Sequence, residues 1–291
     1  DADYILLAHE YYFIKTEDIY LRELDFFAES VNKKVIVFDY GDVVEPVKLK
    51  NSIILRTAGY RSTLAKNEII ITPFIEDLGE QFTVEISKQK PSKPLVGFVG
   101  MVELPTIMQE CKYQIRIFLH KLLALFNLKE VASRQGLFFR RLCIKILNVC
   151  NSCKTNFIIR KSFSAHEKTI QGDKDTIRNE YVESLKKSDL NLIVRGDGNY
   201  SLRFFEVLSL GRIPLFIDTD TPLPLEDEIP YDTFMLRVDC GEISKLDVKI
   251  SPFGESLNDE DFIRRQKMHV KYLRPNFVQM YFIKIYFLIL N

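Results

Sequence analysis

The sequence carries no net charge, no tryptophan and no long uninterrupted apolar run. Its 40 basic and 40 acidic residues cancel, so the overall charge indicates no particular class of partner. The most apolar stretch, residues 277–290, contains Gln279 and Lys284 and is shorter than the roughly 20 residues that a membrane-spanning helix needs. We therefore expect this stretch to form a buried helix or strand instead of crossing a membrane.

Cysteine and histidine are also scarce, and their spacing argues against a metal site. The five cysteines form an odd set in a chain without an evident signal peptide, which is typical of reduced thiols in the cytosol. Cys150 and Cys153 form a C-x-x-C, but a zinc site needs further ligands at matching spacing, so we interpret this one as chance. The four histidines are scattered. We expect a cytoplasmic protein that uses no metal and no cofactor.

Composition and length indicate a globular α/β protein of two domains. Hydrophobic residues make up 46% of the 291 residues and charged residues 27%, which is average for globular proteins. A polar segment with two prolines, residues 87–94, separates two stretches in which short apolar runs alternate with helical patterns. Because such alternation is typical of doubly wound parallel sheets, we expect one Rossmann-like domain in residues 1–90 and another in residues 91–291.

The apolar runs predict where the strands lie, and 3.6-residue periodicity predicts the helices. Runs such as residues 35–38 are apolar without alternation, as expected for strands that are covered on both faces. The predicted strands are residues 4–8, 34–39, 52–55, 68–72, 95–99, 156–159, 190–194 and 213–217. The predicted helices are residues 16–31, 113–127, 138–148, 175–187 and 201–210.

Positive charge is concentrated in the middle of the chain. Residues 112–161 hold eleven lysines and arginines and one acid, Glu130. Apolar residues at helical spacing lie between these charges, which allows two interpretations. One is a peripheral contact with an anionic membrane surface at the inner face of the membrane, in which Arg140, Arg141 and Lys145 form the tightest cluster. The other is that these residues cover the solvated outer faces of two helices.

Residues 190–224 carry the clearest chemical pattern. An apolar strand runs into the loop Arg195-Gly-Asp-Gly-Asn-Tyr-Ser201, and a helix follows that is closed by Gly211. Glycines in such a loop let a ligand approach the backbone amides, and Ser201 is a natural N-cap. Because free amides and the positive end of the helix dipole face outward there, we expect an anion such as a phosphate to bind.

Charged side chains around this helix indicate a nucleoside diphosphate. Arg195 and Arg203 supply guanidinium groups, which suit a diphosphate better than ammonium groups do. Glu206 lies about one turn further along the helix, where a ribose diol would fall. The alternative for this pair is a salt bridge between Arg203 and Glu206, which are three residues apart on an exposed stripe.

These residues resemble the signature of the exostosin-like glycosyltransferases. The resemblance is carried by residues 195–201, 203–206, 211–214, 219–220 and 223–224, and more weakly by residues 34–42, 56–61, 67–77 and 97–100. It implies the GT-B architecture, in which two Rossmann-like domains face a cleft and the second domain binds a nucleotide-sugar donor. Tyr231 departs from the family pattern, which has a tryptophan at that position.

The resemblance also implies roles for individual residues. Arg195, Ser201 and Arg203 are implied to hold the donor diphosphate, and Glu206 is implied to hold the ribose. Asn199 lies in the same loop and joins the predicted substrate-binding set. Arg160, at the end of another strand of the second domain, is a further candidate for contact with the diphosphate.

An inverting sugar transfer also needs a base that takes the proton of the acceptor hydroxyl. In a two-domain cleft we expect this base at a strand end of the first domain. The candidates are His9, Asp39, Asp42, Glu76 and Asp77, of which we prefer Asp42 because it follows a strand end beside Gly41. Two arginines follow a third strand of that domain, and we expect Arg56 to face the cleft and Arg61 to lie on the surface.

The leading hypothesis is a glycosyltransferase that moves a sugar from a uridine diphosphate donor to a glycan or lipid-linked glycan in surface polysaccharide synthesis. Asp218 and Asp220 form an Asp-x-Asp, an arrangement that can hold a divalent metal, but we expect these residues to line the cleft instead. The alternative is a non-catalytic protein of similar fold, or a protein that binds anions or nucleic acid. We expect no nucleic acid, because Phe138, Phe139 and Leu142 follow the spacing of an amphipathic helix.

Overall fold

The N-terminal part of the chain forms a four-stranded parallel sheet. The computed structural model describes residues 2–104, 106–124, 135–160 and 173–273. The strands of the first sheet pair in chain order and are β1 (Tyr4–Leu6), β2 (Lys34–Asp39), β3 (Ser52–Arg56) and β4 (Glu68–Ile70). Its helices are α1 (Tyr11–Ile14), α2 (Asp18–Ser30) and α3 (Leu78–Gln81).

A second parallel sheet follows, and its strand order creates a crevice. Its strands are β5 (Leu95–Met101), β6 (Lys154–Arg160), β7 (Leu190–Ile193), β8 (Ile213–Asp218) and β9 (Leu236–Asp239). They pair in the order β6-β5-β7-β8-β9, all in parallel. The chain leaves β5 toward β6 on one side and then returns to β7 on the other. The carboxyl ends of β5 and β7 therefore form the topological switch point, where open α/β sheets bind their ligands.

Six helices accompany the second sheet in the described part of the chain. They are α4 (Ile107–Ala124), α5 (Gln135–Leu147), α6 (Lys174–Lys187), α7 (Leu202–Ser209), α8 (Leu246–Glu255) and α9 (Asp259–Leu273). Among the described residues, no helix combines the length and the apolar character that crossing a bilayer requires.

The α/β class and the predicted strands are confirmed. All eight predicted strands form, with ends that differ by at most two residues, and the five predicted helices correspond to α2, α4, α5, α6 and α7. Helix α4 begins at Ile107 instead of residue 113, and residues 125–127 of its predicted range lie outside the described residues, as does the apolar stretch 277–290. The sequence pattern misses α1, α3, β9, α8 and α9, which are short, polar or, in α8, interrupted by Pro252.

One buried apolar cluster connects the two sheets. It contains Ile53 and Leu55 of β3 together with Phe204 and Phe205 of α7. The ring of Phe204 meets those of Phe205 and Phe216 edge-on, at centroid distances of 5.2 and 5.4 Å. The two halves of the chain therefore share hydrophobic packing close to the N-terminus of α7. The domain boundary near residue 90 and the GT-B arrangement stay predictions.

A buried ion-pair triad ties together three strands of the first sheet. Arg56 at the end of β3 is 1% exposed and pairs with Asp39 of β2 at 2.8 Å and with Glu68 of β4 at 2.9 Å. It also donates a hydrogen bond to the carbonyl of Glu45. Burial raises the pKa of Asp39, an effect that Arg56 opposes. The expectation that Arg56 faces a cleft is therefore wrong, since its guanidinium is committed to the sheet.

We predict that Arg56→Leu destabilises the fold by about 3–5 kcal/mol, because two buried carboxylates lose their cation. The matched control is Arg22→Leu on the exposed surface of α2, which should change the free energy of unfolding by no more than about 0.5 kcal/mol. Urea denaturation of the two variants measures both values. Equal destabilisation by the two substitutions would contradict a structural role for the triad.

Candidate functional site

The loop between β7 and α7 makes a tight bend at the carboxyl end of the second sheet. The amide of Gly196 donates a hydrogen bond to the carbonyl of Tyr200 at 3.2 Å, which closes the loop. Ser201 occupies the N-cap position of α7, as predicted, with an extended backbone. Its hydroxyl makes no capping hydrogen bond. The amide of Phe204 donates to the carbonyl of Ser201 at 3.2 Å, so the amides of Leu202 and Arg203 are the ones that can bind an anion.

Asn199 is an internal brace of this loop. Its side-chain amide donates hydrogen bonds to the carbonyls of Gly59, at 2.8 Å, and Thr219, at 3.1 Å. Its side-chain oxygen accepts hydrogen bonds from the hydroxyls of Thr219 and Thr221. Asn199 is 1% exposed. We therefore correct its predicted role, because its hydrogen-bonding groups hold three protein loops together and are closed to a substrate.

Arg203, in the first turn of α7, reaches across the switch point to the end of β5. Its guanidinium donates a hydrogen bond to the carbonyl of Val99 and lies over the ring of Phe98, 4.7 Å from its centroid. A Cβ atom on Gly100 would come within 3.2 Å of the Nη2 atom of Arg203. The glycine therefore leaves the space that the guanidinium occupies.

Arg140, in α5, points to the same strand end. Its Nη2 atom donates a hydrogen bond to the carbonyl of Arg195 at 3.1 Å, and its Nη1 atom lies 3.5 Å from the carbonyl of Met101. Sequence reasoning assigned Arg140 to a surface cluster and so missed it as a site residue. Helical periodicity shows which face of α5 is apolar, but it does not show that a distant loop covers the start of the helix.

Arg140 and Arg203 together create a strongly positive site. Burial and the nearby charge of Arg203 lower the pKa of Arg140 to about 10. Arg140 therefore remains cationic at neutral pH. Among the described residues neither guanidinium pairs with a carboxylate, and the Nε atoms of both are buried without an acceptor. Both side chains are half-buried, and the charge of Asp197 partly offsets that of Arg140. An anion bound beside both guanidinium groups would offset more of the cost of burying them.

Arg195 is turned toward the first half of the chain. Its guanidinium donates hydrogen bonds to the hydroxyl of Tyr60 at 3.1 Å and to the carbonyl of Asp197 at 3.0 Å, and it also packs on the ring of Tyr60. Arg195 is 3% exposed, so Tyr60 shields it from solvent. Its role in holding a diphosphate stays a prediction, and its main visible contribution is the carbonyl that positions Arg140.

Glu206 is held by two residues of α6. Its carboxylate accepts hydrogen bonds from the hydroxyl of Tyr181 and from the guanidinium of Arg178, the latter at 3.2 Å. Burial, with a contribution from Glu206, raises the pKa of Tyr181, so that its hydroxyl stays protonated and donates. The predicted alternative, a salt bridge with Arg203, does not form. Tyr181 also contacts Arg203, and in this way links the acid to the guanidinium pair.

Asp42 of the first half lies against the glycine loop of the second. Its carboxylate acts electrostatically on the hydroxyl of Tyr200, and a Cβ atom on Gly198 would come within 2.7 Å of its Oδ1 atom. Burial and the charge of Asp42 raise the pKa of Tyr200 to about 12. The structure therefore brings Asp42 next to the loop that carries the other candidates. Its role as a base stays a prediction.

Three of the other four base candidates already have partners within the protein. Asp39 is paired with Arg56, and Glu76 forms an ion pair with Arg178 at 3.0 Å. Asp77 accepts a hydrogen bond from an amide at the start of α3, while His9 is exposed after β1.

Asp218 belongs to a network that fastens the two halves together. Arg61 of the first half pairs with Asp218 and with Glu226, each at 3.1 Å, and Arg237 pairs with Asp218 at 2.9 Å. Burial alone would raise the pKa of Asp218, but the Thr221 amide and the two arginines bring it below its usual value. The carboxylate is thus ionised and already neutralised by arginines. In the parts of the chain that the structure describes, no three or more potential ligands gather into a metal site.

Two further arginines have carboxylate partners, in contrast to Arg140 and Arg203. Arg160 pairs with Glu180 at 2.6 Å. Its contact with a diphosphate stays a prediction, and this ion pair would have to open for it.

Arg141 binds both carboxylate oxygens of Glu110 and donates to the carbonyl of Val102. We therefore correct the predicted surface cluster: Arg140 and Arg141 contact the protein, and Lys145 is the exposed member.

Comparisons with known proteins point weakly in one direction. No protein-family model matches the chain. A probable glucuronosyltransferase of Oryza sativa subsp. japonica is 31% identical over 88 residues, which cover 30% of this chain and 19% of that protein. The weak sequence similarity is thus to a glycosyltransferase. The chain matches about a fifth of the length of this curated relative.

The solved structure of TarM aligns with this chain at 12% sequence identity and a TM-score of 0.39. The alignment covers 91% of this chain and 57% of the TarM chain.

The approach of α5 to the glycine loop depends on Gly136. A Cβ atom there would lie 2.3 Å from the carbonyl oxygen of Arg195 and 2.6 Å from that of Gly196. We predict that Gly136→Ala destabilises the protein by about 1–3 kcal/mol, although alanine normally favours a helix over glycine. Thermal unfolding of the variant measures this effect.

The matched control is Gly196→Ala in the loop itself. A Cβ atom at Gly196 would have its nearest neighbour 4.0 Å away, so this variant should unfold close to the wild-type temperature. If Gly136→Ala were neutral or stabilising, the close contact between α5 and the loop would be disproved.

Proposed function

We propose that this protein is a glycosyltransferase whose nucleotide-sugar donor binds at the switch point between β5 and β7. The observation that carries the proposal is the pair of guanidinium groups of Arg140 and Arg203. They meet at the end of β5 without a carboxylate partner in the described residues. The weak similarity to a probable glucuronosyltransferase supports the same reaction class.

The donor diphosphate is the part of the substrate that fits this pair. Guanidinium groups bind phosphate oxygens through charge-assisted hydrogen bonds, and each of the two has a buried Nε–H that lacks an acceptor. The N-terminus of α7 adds its uncapped amides and the positive end of its dipole. When the sugar transfers, the departing diphosphate gains negative charge, which the same groups stabilise.

We propose that the nucleoside lies along α7. Glu206 lies one turn beyond Arg203, where its carboxylate is oriented by Tyr181 and Arg178. A carboxylate offers about four acceptor positions, so these two donors leave capacity for a ribose diol. We propose a uridine nucleotide, with Glu206 accepting hydrogen bonds from its ribose hydroxyls.

The acceptor is a glycan hydroxyl that approaches from the first half of the chain. Its oxygen attacks the anomeric carbon, the bond from that carbon to the diphosphate oxygen breaks, and the hydroxyl proton passes to a base. We propose Asp42 for this role, because it is an exposed carboxylate of the first half that lies against the glycine loop. An acceptor in surface polysaccharide synthesis and a cytoplasmic location belong to the same proposal.

The adjacent arginines of α5 provide a direct test of the donor site. We predict that Arg140→Leu weakens UDP binding by roughly 10- to 100-fold, because one charge-assisted contact to the diphosphate is lost. Arg141→Leu is the matched control, because Arg141 faces Glu110 and should leave UDP affinity within about twofold of wild type. Isothermal titration calorimetry measures both affinities.

If Arg140→Leu and Arg141→Leu bound UDP with equal affinity, the diphosphate would have to bind at another place. If UDP binds as predicted but no sugar transfers to any offered glycan, the alternative of a non-catalytic protein with this fold is favoured instead.

The role of Glu206 is tested by removing either partner of the proposed ribose contact. We predict that the wild type binds UDP about tenfold or more tightly than 2′-deoxy-UDP, because a hydrogen bond to a charged acceptor is lost. Glu206→Gln should bind both nucleotides with nearly the same affinity.

The control for this experiment is Glu183→Gln on the exposed side of α6, which should discriminate between the two nucleotides as the wild type does. If Glu206→Gln retained the full preference for UDP, the carboxylate would serve only to hold α6 against α7.

A further inference from the structure

Helix α4 presents an apolar stripe to solvent. Six of its residues are exposed and belong to one face. Five of them have exposed fractions between 48% for Leu119 and 85% for Ile107, and the sixth, Cys111, is also exposed. At 3.6 residues per turn these six positions fall within an arc of about 120°. They are Ile107, Met108, Cys111, Ile115, Phe118 and Leu119.

The opposite side of α4 is fastened to the second sheet. Tyr113 is buried, and the guanidinium of Arg141 lies over its ring, 5.0 Å from the centroid. Arg141 also holds Glu110 through both carboxylate oxygens, at 2.7 and 2.8 Å, and donates to the carbonyl of Val102 after β5. These contacts fix the rotation of the helix, so the apolar stripe faces away from the protein.

The charges that border the stripe are positive. Lys112 and Arg116 lie beside it on the helix, both are exposed, and neither pairs with a described acid. The one acid in the first turn, Glu110, is neutralised by Arg141, which lowers its pKa to about 2. Apolar side chains flanked by free cations are the pattern of a helix that lies in the interface of an anionic membrane.

We propose that α4 docks the protein on the surface of an anionic lipid bilayer, with its apolar stripe inserted among the headgroups. A second copy of the chain is a poorer occupant, because a symmetric contact through this stripe would bring two sets of Lys112 and Arg116 together. The surface is distinct from the predicted Arg140–Arg141–Lys145 cluster. Those two arginines face inward, and Arg141 instead holds α4 in place.

Docking through α4 would also bring the donor site close to the membrane. Arg141 anchors α4, and the preceding residue, Arg140, reaches the switch point. If the proposed function holds, the acceptor glycan is therefore carried by a membrane lipid. The docking itself does not depend on that function.

Co-sedimentation of the full chain with vesicles tests the proposal. Wild type should sediment with vesicles of equal parts phosphatidylglycerol and phosphatidylcholine at low salt, and much less with phosphatidylcholine alone. Phe118→Glu should reduce binding to the anionic vesicles by at least about tenfold, because it removes an inserted ring and adds a repelled charge. The matched control is Gln109→Glu, which adds the same negative charge at an exposed position of α4 outside the stripe. This variant should retain most of the binding.

A folding control and an oligomer measurement complete this test. UDP affinity measured on the same preparations shows that Phe118→Glu is folded and reports separately on the proposed donor site. Failure of the wild type to bind anionic vesicles, or equal binding by Phe118→Glu and wild type, would overturn the proposal. So would a dimer of the wild type, seen by light scattering, that Phe118→Glu abolishes.

Discussion

The candidate site depends on two positive charges at the end of β5. The guanidinium groups of Arg140 and Arg203 both reach this strand end, and in the described chain no carboxylate pairs with either of them. Among the other described arginines of the second half, five pair with an acid, namely Arg141, Arg160, Arg178, Arg237 and Arg264. Arg140 and Arg203 differ from these five because they have no such partner among the described residues and reach the same strand end at the switch point, where the proposed ligand would supply the counter-charge.

The surrounding structure holds these two groups in position. The contact of Gly136 with the loop carbonyls lets α5 approach closely enough for Arg140 to bind the carbonyl of Arg195. Asn199 locks the same loop against Gly59 of the first half, and Arg61 adds ion pairs across the two halves. The position of the cations is therefore coupled to the packing of one half of the chain on the other. The apolar cluster around Phe204 likewise couples the position of α7 to the packing of the two halves.

Local patterns predicted eight of the nine described strands, the glycine loop and helix α7, because each is encoded within about ten consecutive residues. Contacts between distant segments could not be predicted in the same way. Glu206 was expected to meet a ribose or Arg203, but its partners come from α6, 25 and 28 residues away. Arg56 was misread because an arginine at a strand end looks the same whether it faces a ligand or two buried acids. Arg140 was missed because its partner carbonyl lies 55 residues further along the chain.

A crystal structure of the chain with UDP would test the central claim most directly. The account predicts diphosphate oxygens within hydrogen-bonding distance of the guanidinium groups of both Arg140 and Arg203, with the ribose directed along α7 toward Glu206. Well-defined UDP bound at another place, with both guanidinium groups still on the carbonyls of β5 and the glycine loop, would contradict it.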